Sequence, residues 1–384
     1  MHANDELDLA SLRREFPITE RWAYFDHATY GPHPRAYVQT LADVAQQLSA
    51  DVLGATSAGL EEVRASAARL LHAPVEQVAL LRSTGEATNL VASGVDWQPG
   101  DEVILYELDF PSLIAPWLAV ADRGVQVRVV RDEGRNRFEL EDFVELMTPR
   151  TRAVSVSLVN NTTGFRAPVE ALAAECAARN IWLTVDAVQA VDSMDVDAPS
   201  LGGDVVAAHS YKFLLSGFGQ ALVYCSDRAK RELRVPHVGL RNMRMDPNGT
   251  LFDSGLNLFD SARRFEPSVP NLAANLAMGA AINLLLETGP RRIEAHNRQL
   301  CARLCDGLQE MGYTLITSQA EGESAGLVCA VKDGVASDSI QERLAAAHMM
   351  SAVRGGNLRF APHLYNTEAE VDQLISALRE PVRA

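Results

Sequence analysis

Four short runs in the chain place chemically capable side chains at the ends of apolar, strand-like stretches. The first is His209-Ser210-Tyr211-Lys212, directly after Val205-Val206-Ala207-Ala208. A lysine held among apolar residues at a strand end loses ammonium hydration. Its pKa falls and its amine becomes a nucleophile or a base. A lysine stem lying along an apolar patch, with its head in water, has the same local sequence. The second is Asp186, which closes Thr184-Val185 and precedes Ala187-Val188-Gln189. A carboxylate at the end of a buried strand is costly unless a charged or hydrogen-bonded partner meets it, and a protonated ring nitrogen is one such partner. A helix N-cap is the ordinary alternative. The third is Ser83-Thr84-Gly85-Glu86, a strand-to-helix turn whose free N–H groups and positive dipole end suit an anion. It also fits a plain capping box from Ser83 to Glu86. The fourth is Arg354-Gly355-Gly356-Asn357-Leu358-Arg359, where arginines among apolar strand residues suit a clamp on a carboxylate, or an interface salt bridge.

Each run alone has a plain structural explanation. Together they fall where an open α/β sheet binds its ligand, beyond the C-terminal ends of the strands. The pattern predicts strands over 78–81, 102–106, 125–130, 153–158, 182–185 and 205–208, as continuous apolar runs of the kind found in strands covered on both faces. Helices are predicted over 37–50, 60–71, 112–121, 140–147 and 169–178, with another from about 86. This rhythm predicts an α/β fold with a mostly parallel, seven-stranded sheet. Asp186 and Lys212 then stand one helix-free crossover apart. Residues 235–270, rich in Arg, Met, Asn, Pro and Gly, read as a long functional loop region. Two long helices and short strands after it read as a smaller α+β domain. The expected division is an N-terminal segment 1–20, a large domain 21–260 and a small C-terminal domain 261–384.

Composition narrows the partners. The formal net charge is −15 and the pI near 5.1, so nucleic acid is not an expected partner. The N-terminal run is acidic and polar, and no apolar run reaches the roughly 18 residues of a membrane span, so a cytoplasmic enzyme without a membrane partner is expected. Five cysteines with no CxxC pair indicate neither a disulfide framework nor a metal site, and Cys301 and Cys305 read as small residues on a buried helix face.

With these runs in order, the chain resembles the class V aminotransferase branch of fold-type I enzymes dependent on pyridoxal 5'-phosphate (PLP). That branch includes cysteine desulfurases, cysteine C–S lyases, isopenicillin N epimerase and kynureninase. The resemblance spans roughly residues 20–380. Tyr24-Phe-Asp-His-Ala-Thr-Tyr-Gly-Pro-His-Pro34 is similar to the family's opening segment in its epimerase-like form. Ser83 to Asn89 resembles the phosphate-binding turn, Asp109-Phe110-Pro-Ser and Pro116-Trp117 the segment whose aromatic residue stacks on the cofactor, and Val159 to Gly164 the loop whose Asn touches its ring. Asp186-x-x-Gln189 and Ser210-Tyr211-Lys212 resemble the core cofactor motif. Arg264-Phe-Glu266 and Asn271 resemble a segment donated by a neighbouring subunit, and Arg354 through Thr367 the C-terminal signature.

The resemblance implies a role for each residue. Lys212 would bind PLP covalently and serve as the base at Cα. Asp186 would pair with the ring nitrogen, Gln189 and Asn161 with the phenolic oxygen, and Phe110 would stack on the ring. Thr84, Gly85, Glu86, His209 and Tyr211 would hold the phosphate, with Ser268 from the partner of a homodimer whose active site is shared. Arg359, with Arg354, would grip the substrate carboxylate, and His27 and Ala28 would border the substrate. Two departures stand out. No cysteine lies between Arg354 and Arg359, where cysteine desulfurases carry their nucleophile. Ser268-Val269 replaces a Gly-Thr that many relatives supply to the phosphate, and Gly85 replaces a common threonine. The expected reaction is C–S lyase chemistry on cysteine or a cysteine S-conjugate. An epimerase or aminotransferase is the close rival, and a decarboxylating or oxidative variant follows.

Overall fold

The structure is a computed structural model that describes residues 7–51, 58–245 and 250–379. In chain order its strands are β1 Ala23–Tyr24, β2 Val78–Leu81, β3 Glu102–Tyr106, β4 Gln126–Val130, β5 Thr151–Ser157, β6 Trp182–Asp186, β7 Val205–His209 and β8 Ala221–Cys225. They continue with β9 Thr314–Leu315, β10 Val328–Val331, β11 Met349–Met350, β12 Ala352–Arg354 and β13 Asn357–Phe360.

Strands β2 to β8 form one sheet in the order β2-β8-β7-β6-β5-β3-β4. The pairs among β4, β3, β5, β6 and β7 are parallel, and β8 is antiparallel to both β7 and β2. This is the expected mostly parallel, seven-stranded α/β sheet; the apolar runs named above supply six of its strands, and β8 is the seventh. Alternate side chains feed two cores on opposite faces: Val78, Leu80, Ile104 and Val154 on one, and Ala79, Leu81, Val103 and Ala153 on the other. Helices Thr84–Gly94, Pro111–Ala119 and Val169–Ala178 lie in the connections, whereas the β6–β7 crossover contains no helix. The sequence reading does not assign β8. Its apolar run Ala221–Cys225 follows the Lys212 segment without an intervening helix, so a reading built on βαβ alternation passes over a reversed strand.

A second, antiparallel sheet runs β12-β13-β10-β9. Its core joins Leu300, Leu304 and Leu308 of helix Pro290–Glu310 to Val328, Leu358 and Phe360. Helix Leu272–Thr288, although it follows residue 261, packs on helices Arg35–Ala50 and Ala58–Leu70. The N-terminal region is tied to the far end of the chain: β1 pairs parallel with β11, and Asp26 bridges to Ala361. Among the described residues no single helix is long and apolar enough to cross a membrane.

The segment Ala262–Glu266 is anchored inside its own protomer. The buried Arg64 guanidinium donates to both carboxylate oxygens of Glu266, to Glu61 at 3.1 Å and to Val78 O at 3.0 Å. Glu266 also accepts the N–H of Leu80 at 2.8 Å. Asn271 caps the next helix, its Oδ1 accepting from Ala274 N. Glu266 and Asn271, matched by resemblance to a segment offered to a neighbouring subunit, are therefore engaged within their own chain. Removing one partner of a buried ion pair strands the other charge. Glu266→Ala should therefore cost about 3–5 kcal/mol in denaturant unfolding. Replacing Arg64 and Glu266 together by methionine should cost clearly less. Equal losses in the single and double variants would show that the pair does not anchor the segment.

Candidate active site

The strand ends of the large sheet meet the Arg354–Arg359 hairpin around a cavity of about 400 Å3 of empty space. Its walls are Ala28, Thr29 and Tyr30 from the N-terminal region, Phe110 and Asn161 from two strand-end loops, Tyr211 and Lys212, and both arginines. The topology brings together residues from five separate parts of the sequence.

Lys212 sits on a tightly fastened loop. Ser210 N donates to Gln220 O, and Ser210 Oγ donates to Gly217 O at 2.7 Å. Leu215, at φ +55, returns its N–H to Lys212 O. The carbonyl of Tyr211 accepts from Gly31 N at 2.8 Å, and that of Phe213 meets His363 Nε2 at 2.9 Å. A Cβ on residue 31 would lie 2.0 Å from Lys212 O, so only glycine allows this approach. The chain is thus fixed on both sides of Lys212. Its Nζ lies 5.6 Å from the Phe110 ring centroid and 5.7 Å from that of Tyr211.

The site is electrically unusual because its titratable groups are buried. Burial brings the Lys212 amine down to about 8, against a smaller upward pull from Asp186 and further lowering by Arg359 and Arg354. Burial also pushes the Asp186 carboxyl up to about 6, although Val188 N–H and Lys212 pull it down. Asp186 Oδ1 accepts from Val188 N at 2.9 Å. Asp109, beside Phe110, is pushed up to about 7, first by burial and further by the Asp186 charge. Gln189 donates its amide to Ala28 O at 3.1 Å, which leaves Oε1 buried without a partner. His209 packs edge-on to Tyr211, with ring centroids 4.3 Å apart; burial holds it neutral, down to about 4, and its Nε2 is buried and unpartnered.

At the other wall, Arg359 lies in β13 opposite Cys329 and Ala352. It is 2 % exposed, donates to Asn161 O at 2.9 Å and to Thr29 Oγ1 at 2.5 Å, and has Asp26 as counter-ion at 3.4 Å. Its Nε is buried and unpartnered. Thr84 and Gly85 begin helix Thr84–Gly94, so their N–H groups have no acceptor within the helix. The N–H of Glu86, in contrast, donates to Ser83 Oγ at 3.0 Å, and its carboxylate holds Arg82. Ser83 therefore caps the helix, but the Glu86 carboxylate accepts the N–H of Arg82, at 2.8 Å, and not that of Ser83, so only half of the capping box forms.

Of the other residues named from the sequence, Thr84, Gly85, Glu86, Asp186, Gln189 and His209 are not in the cavity lining, and His27 and Ser268 are not either. His27 is fully buried behind the pocket, not in its lining. Its Nδ1 faces Ala361 O at 2.8 Å and its Nε2 faces the Tyr365 hydroxyl at 2.7 Å. Since a carbonyl only accepts, Nδ1 carries the proton and the tyrosine donates to Nε2. Both ring nitrogens are engaged, and His27 is a packing residue. Ser268 is exposed and does not line this protomer's pocket. Asp26 and Thr29, which orient Arg359, were given no role by the sequence reading, and Asp109 was named only as the residue before Phe110. The Tyr24–Pro34 segment contained the first two, but nothing local distinguishes them.

Comparisons with known proteins cover the whole chain. The family model for aminotransferase class-V matches residues 23–374. A probable cysteine desulfurase of Methanothermobacter thermautotrophicus is 28% identical over 399 residues, covering 96% of this chain and 97% of its own. A cysteine desulfurase of Dickeya dadantii is 29% identical over 319 residues, covering 78% and 76%. Among solved structures, the apo cysteine desulfurase of Thermococcus onnurineus superposes with a TM-score of 0.86 at 21% identity, covering 98% of each chain. The cystine C–S lyase C-DES, in complex with its product cysteine persulfide, does so with a TM-score of 0.86 at 20% identity, covering 95% of this chain and 99% of its own.

The raised carboxyls make a prediction for the cofactor-free protein. A carboxyl whose folded pKa lies above its unfolded value near 3.8 contributes stability that is present below that value. The contribution is lost as pH rises through about 6 for Asp186 and about 7 for Asp109. Urea midpoints should therefore fall between about pH 5 and pH 8, and Asp109→Asn should reduce that fall by on the order of a kcal/mol or more. An identical pH dependence in the variant would show that Asp109 is already ionised at pH 5.

Proposed function

The chain belongs to the class-V aminotransferase family, and from that premise we propose that it is a PLP-dependent lyase that breaks the Cβ–S bond of cysteine or of a cysteine S-conjugate. The residues present fit the cofactor. Gln189 Oε1, His209 Nε2 and Arg359 Nε are buried without partners, and a dry carboxyl waits at Asp186. Lys212, Asp186, Gln189, Asn161 and Phe110 would hold the ring system, and Thr84, Gly85, His209 and Tyr211 the phosphate. When bound, PLP supplies an electron sink at the substrate's Cα.

The chain's own groups then do the rest. Arg359 binds the α-carboxylate through its two remaining N–H groups, which fixes Cα near Lys212. Lys212 Nζ, with its affinity for protons lowered by burial, removes the Cα proton. The Cβ–S bond breaks and its electron pair leaves on sulfur. Tyr211 and Phe110 cover the amine and keep water from it.

The observation that favours a lyase over a desulfurase is the β12–β13 hairpin. Arg354 pairs directly with Asn357, so the connection is only Gly355 and Gly356, at φ +57 and +82. That is a tight two-residue turn, of the kind that requires left-handed backbone at both positions. It has no room for a thiol-bearing loop. All five cysteines are buried, none lines the pocket, and burial pushes every thiol upward. With no sulfur acceptor in reach, the sulfur departs as a free product. A cystine C–S lyase among the structural neighbours is consistent with this reading.

We read the protein as a cytoplasmic homodimer. Among the described residues, seven of the thirteen exposed large hydrophobic side chains lie between 238 and 269, including Leu240, Phe252, Leu256 and Val269. A cluster of that kind marks an interface, and Ser268 within it would reach the phosphate of the second copy's site.

The holoenzyme incubated with cysteine, cystine and S-alkyl conjugates should yield pyruvate, ammonium and a sulfur product in equal amounts. Lys212→Ala should lose at least about 100-fold, the scale of a lost general base. A protein-bound persulfide as the main product would establish a desulfurase. Hydrogen exchange at Cα without pyruvate would establish epimerisation and overturn the lyase reading.

A further inference from the structure

We propose that Arg354 reads a second negative charge on the substrate, so that the preferred substrates are cysteine derivatives with an anionic group on sulfur, such as an S-sulfonate or an S-carboxyalkyl chain. The inference rests on the Cβ–S lyase reading and narrows its substrate.

Two arginines line the pocket, and they are not equivalent. Both guanidinium groups donate to the same hydroxyl, Thr29 Oγ1, from Arg354 at 3.2 Å and from Arg359 at 2.5 Å, so they stand side by side. Arg359 is buried and already has a counter-ion in Asp26. Three of its five N–H groups are engaged, by Asn161, Asp26 and Thr29, which leaves two, one of them the unpartnered Nε, for a single carboxylate. Arg354 is exposed at the rim; apart from Thr29 it donates only to the carbonyl of its neighbour Val353, at 2.8 Å. Among the described residues no carboxylate lies within ion-pair distance of it. A guanidinium has five N–H donors, so most of its capacity is unused. The two-glycine turn starts at Arg354 and holds its backbone in place.

A free cation at the mouth of this pocket is not part of a basic surface, because the chain carries a net charge of −15. It is a local attraction set against a repulsive background. A substrate with an uncharged side chain leaves Arg354 unpaired. A substrate with two anionic groups engages both arginines, the α-carboxylate at Arg359 and the second group at Arg354. For an S-sulfonate the chemistry closes without any added oxidant or reductant. The Cα proton passes to Lys212 Nζ, the Cβ–S bond breaks, and the electron pair leaves on sulfur as thiosulfate. One water then converts the three-carbon remainder to pyruvate and ammonium, with release of one proton.

The test compares S-carboxymethylcysteine with the neutral S-ethylcysteine on the holoenzyme at low salt. A charge-assisted contact should favour the anionic conjugate by about tenfold or more in kcat/KM. In Arg354→Gln the ratio should collapse toward one, and in Arg354→Lys most of the preference should remain. Absence of preference in the native enzyme, or equal losses on both substrates in Arg354→Gln, overturns the proposal. The second result would assign Arg354 to the α-carboxylate instead. Calorimetric binding of the unreactive glutarate against butyrate separates this inference from the reaction itself. If no conjugate is cleaved but glutarate binds at least about tenfold tighter, and only with Arg354 intact, the lyase reading fails and the charge reading stands. Equal binding of the two acids overturns the charge reading whatever the reaction.

Discussion

Everything at this site depends on keeping one amine and one carboxylate out of water. Lys212 and Asp186 are 6 % and 3 % exposed, and each is pushed toward its neutral form by burial. In water an ammonium and a carboxylate would simply remain charged. In the pocket, desolvation competes with their mutual attraction, and the amine is left within reach of neutrality at ordinary pH. The surrounding architecture maintains that condition. Phe110 and Tyr211 shield the amine, the parallel strands bury the carboxylate from both faces, and Arg359 and Arg354 add positive charge that further disfavours the ammonium.

Holding such a pair still requires a rigid loop, and the rigidity comes from many modest contacts. The Lys212 segment is fastened by Ser210, Gln220, Leu215, Gly31 and His363, each through a backbone group. Behind it, His27 and Tyr365 form a buried pair whose hydrogen-bonding direction is fixed by Ala361 O. None of these residues is required to touch a substrate. They make the approach of Nζ to the cavity reproducible, which is the condition for orientation to contribute to rate.

The sequence made the large sheet and the strand-end motifs legible because each chemically capable residue terminates a continuous apolar run. Val205–Ala208 before Lys212 and Thr184–Val185 before Asp186 announce both burial and position. The residues that escaped notice owe their roles to distant parts of the chain. Asp26 and Thr29 acquire meaning only when β13 carries Arg359 beside them. β8 escaped because it breaks the βαβ rhythm, and the role of Asp109 because nothing local reveals that Asp186 lies close enough to raise it. At His27 and Glu266 the resemblance supplied positions but not contacts. Both occupy family-like positions, but side chains elsewhere in the same chain, Tyr365 and Arg64, engage them.

The stitching of the two ends has a consequence for how the protein comes into being. Asp26 and Arg359 are 333 residues apart, and β1 pairs with β11. During synthesis the large sheet, complete by Cys225, can collapse while the ribosome is still translating, whereas one wall of the cavity must wait for the last strands to emerge. A nascent or prematurely terminated chain therefore holds Lys212 in an unclosed cleft. The cavity can close only after β13 has emerged, so turnover in this architecture reports that synthesis has passed Phe360.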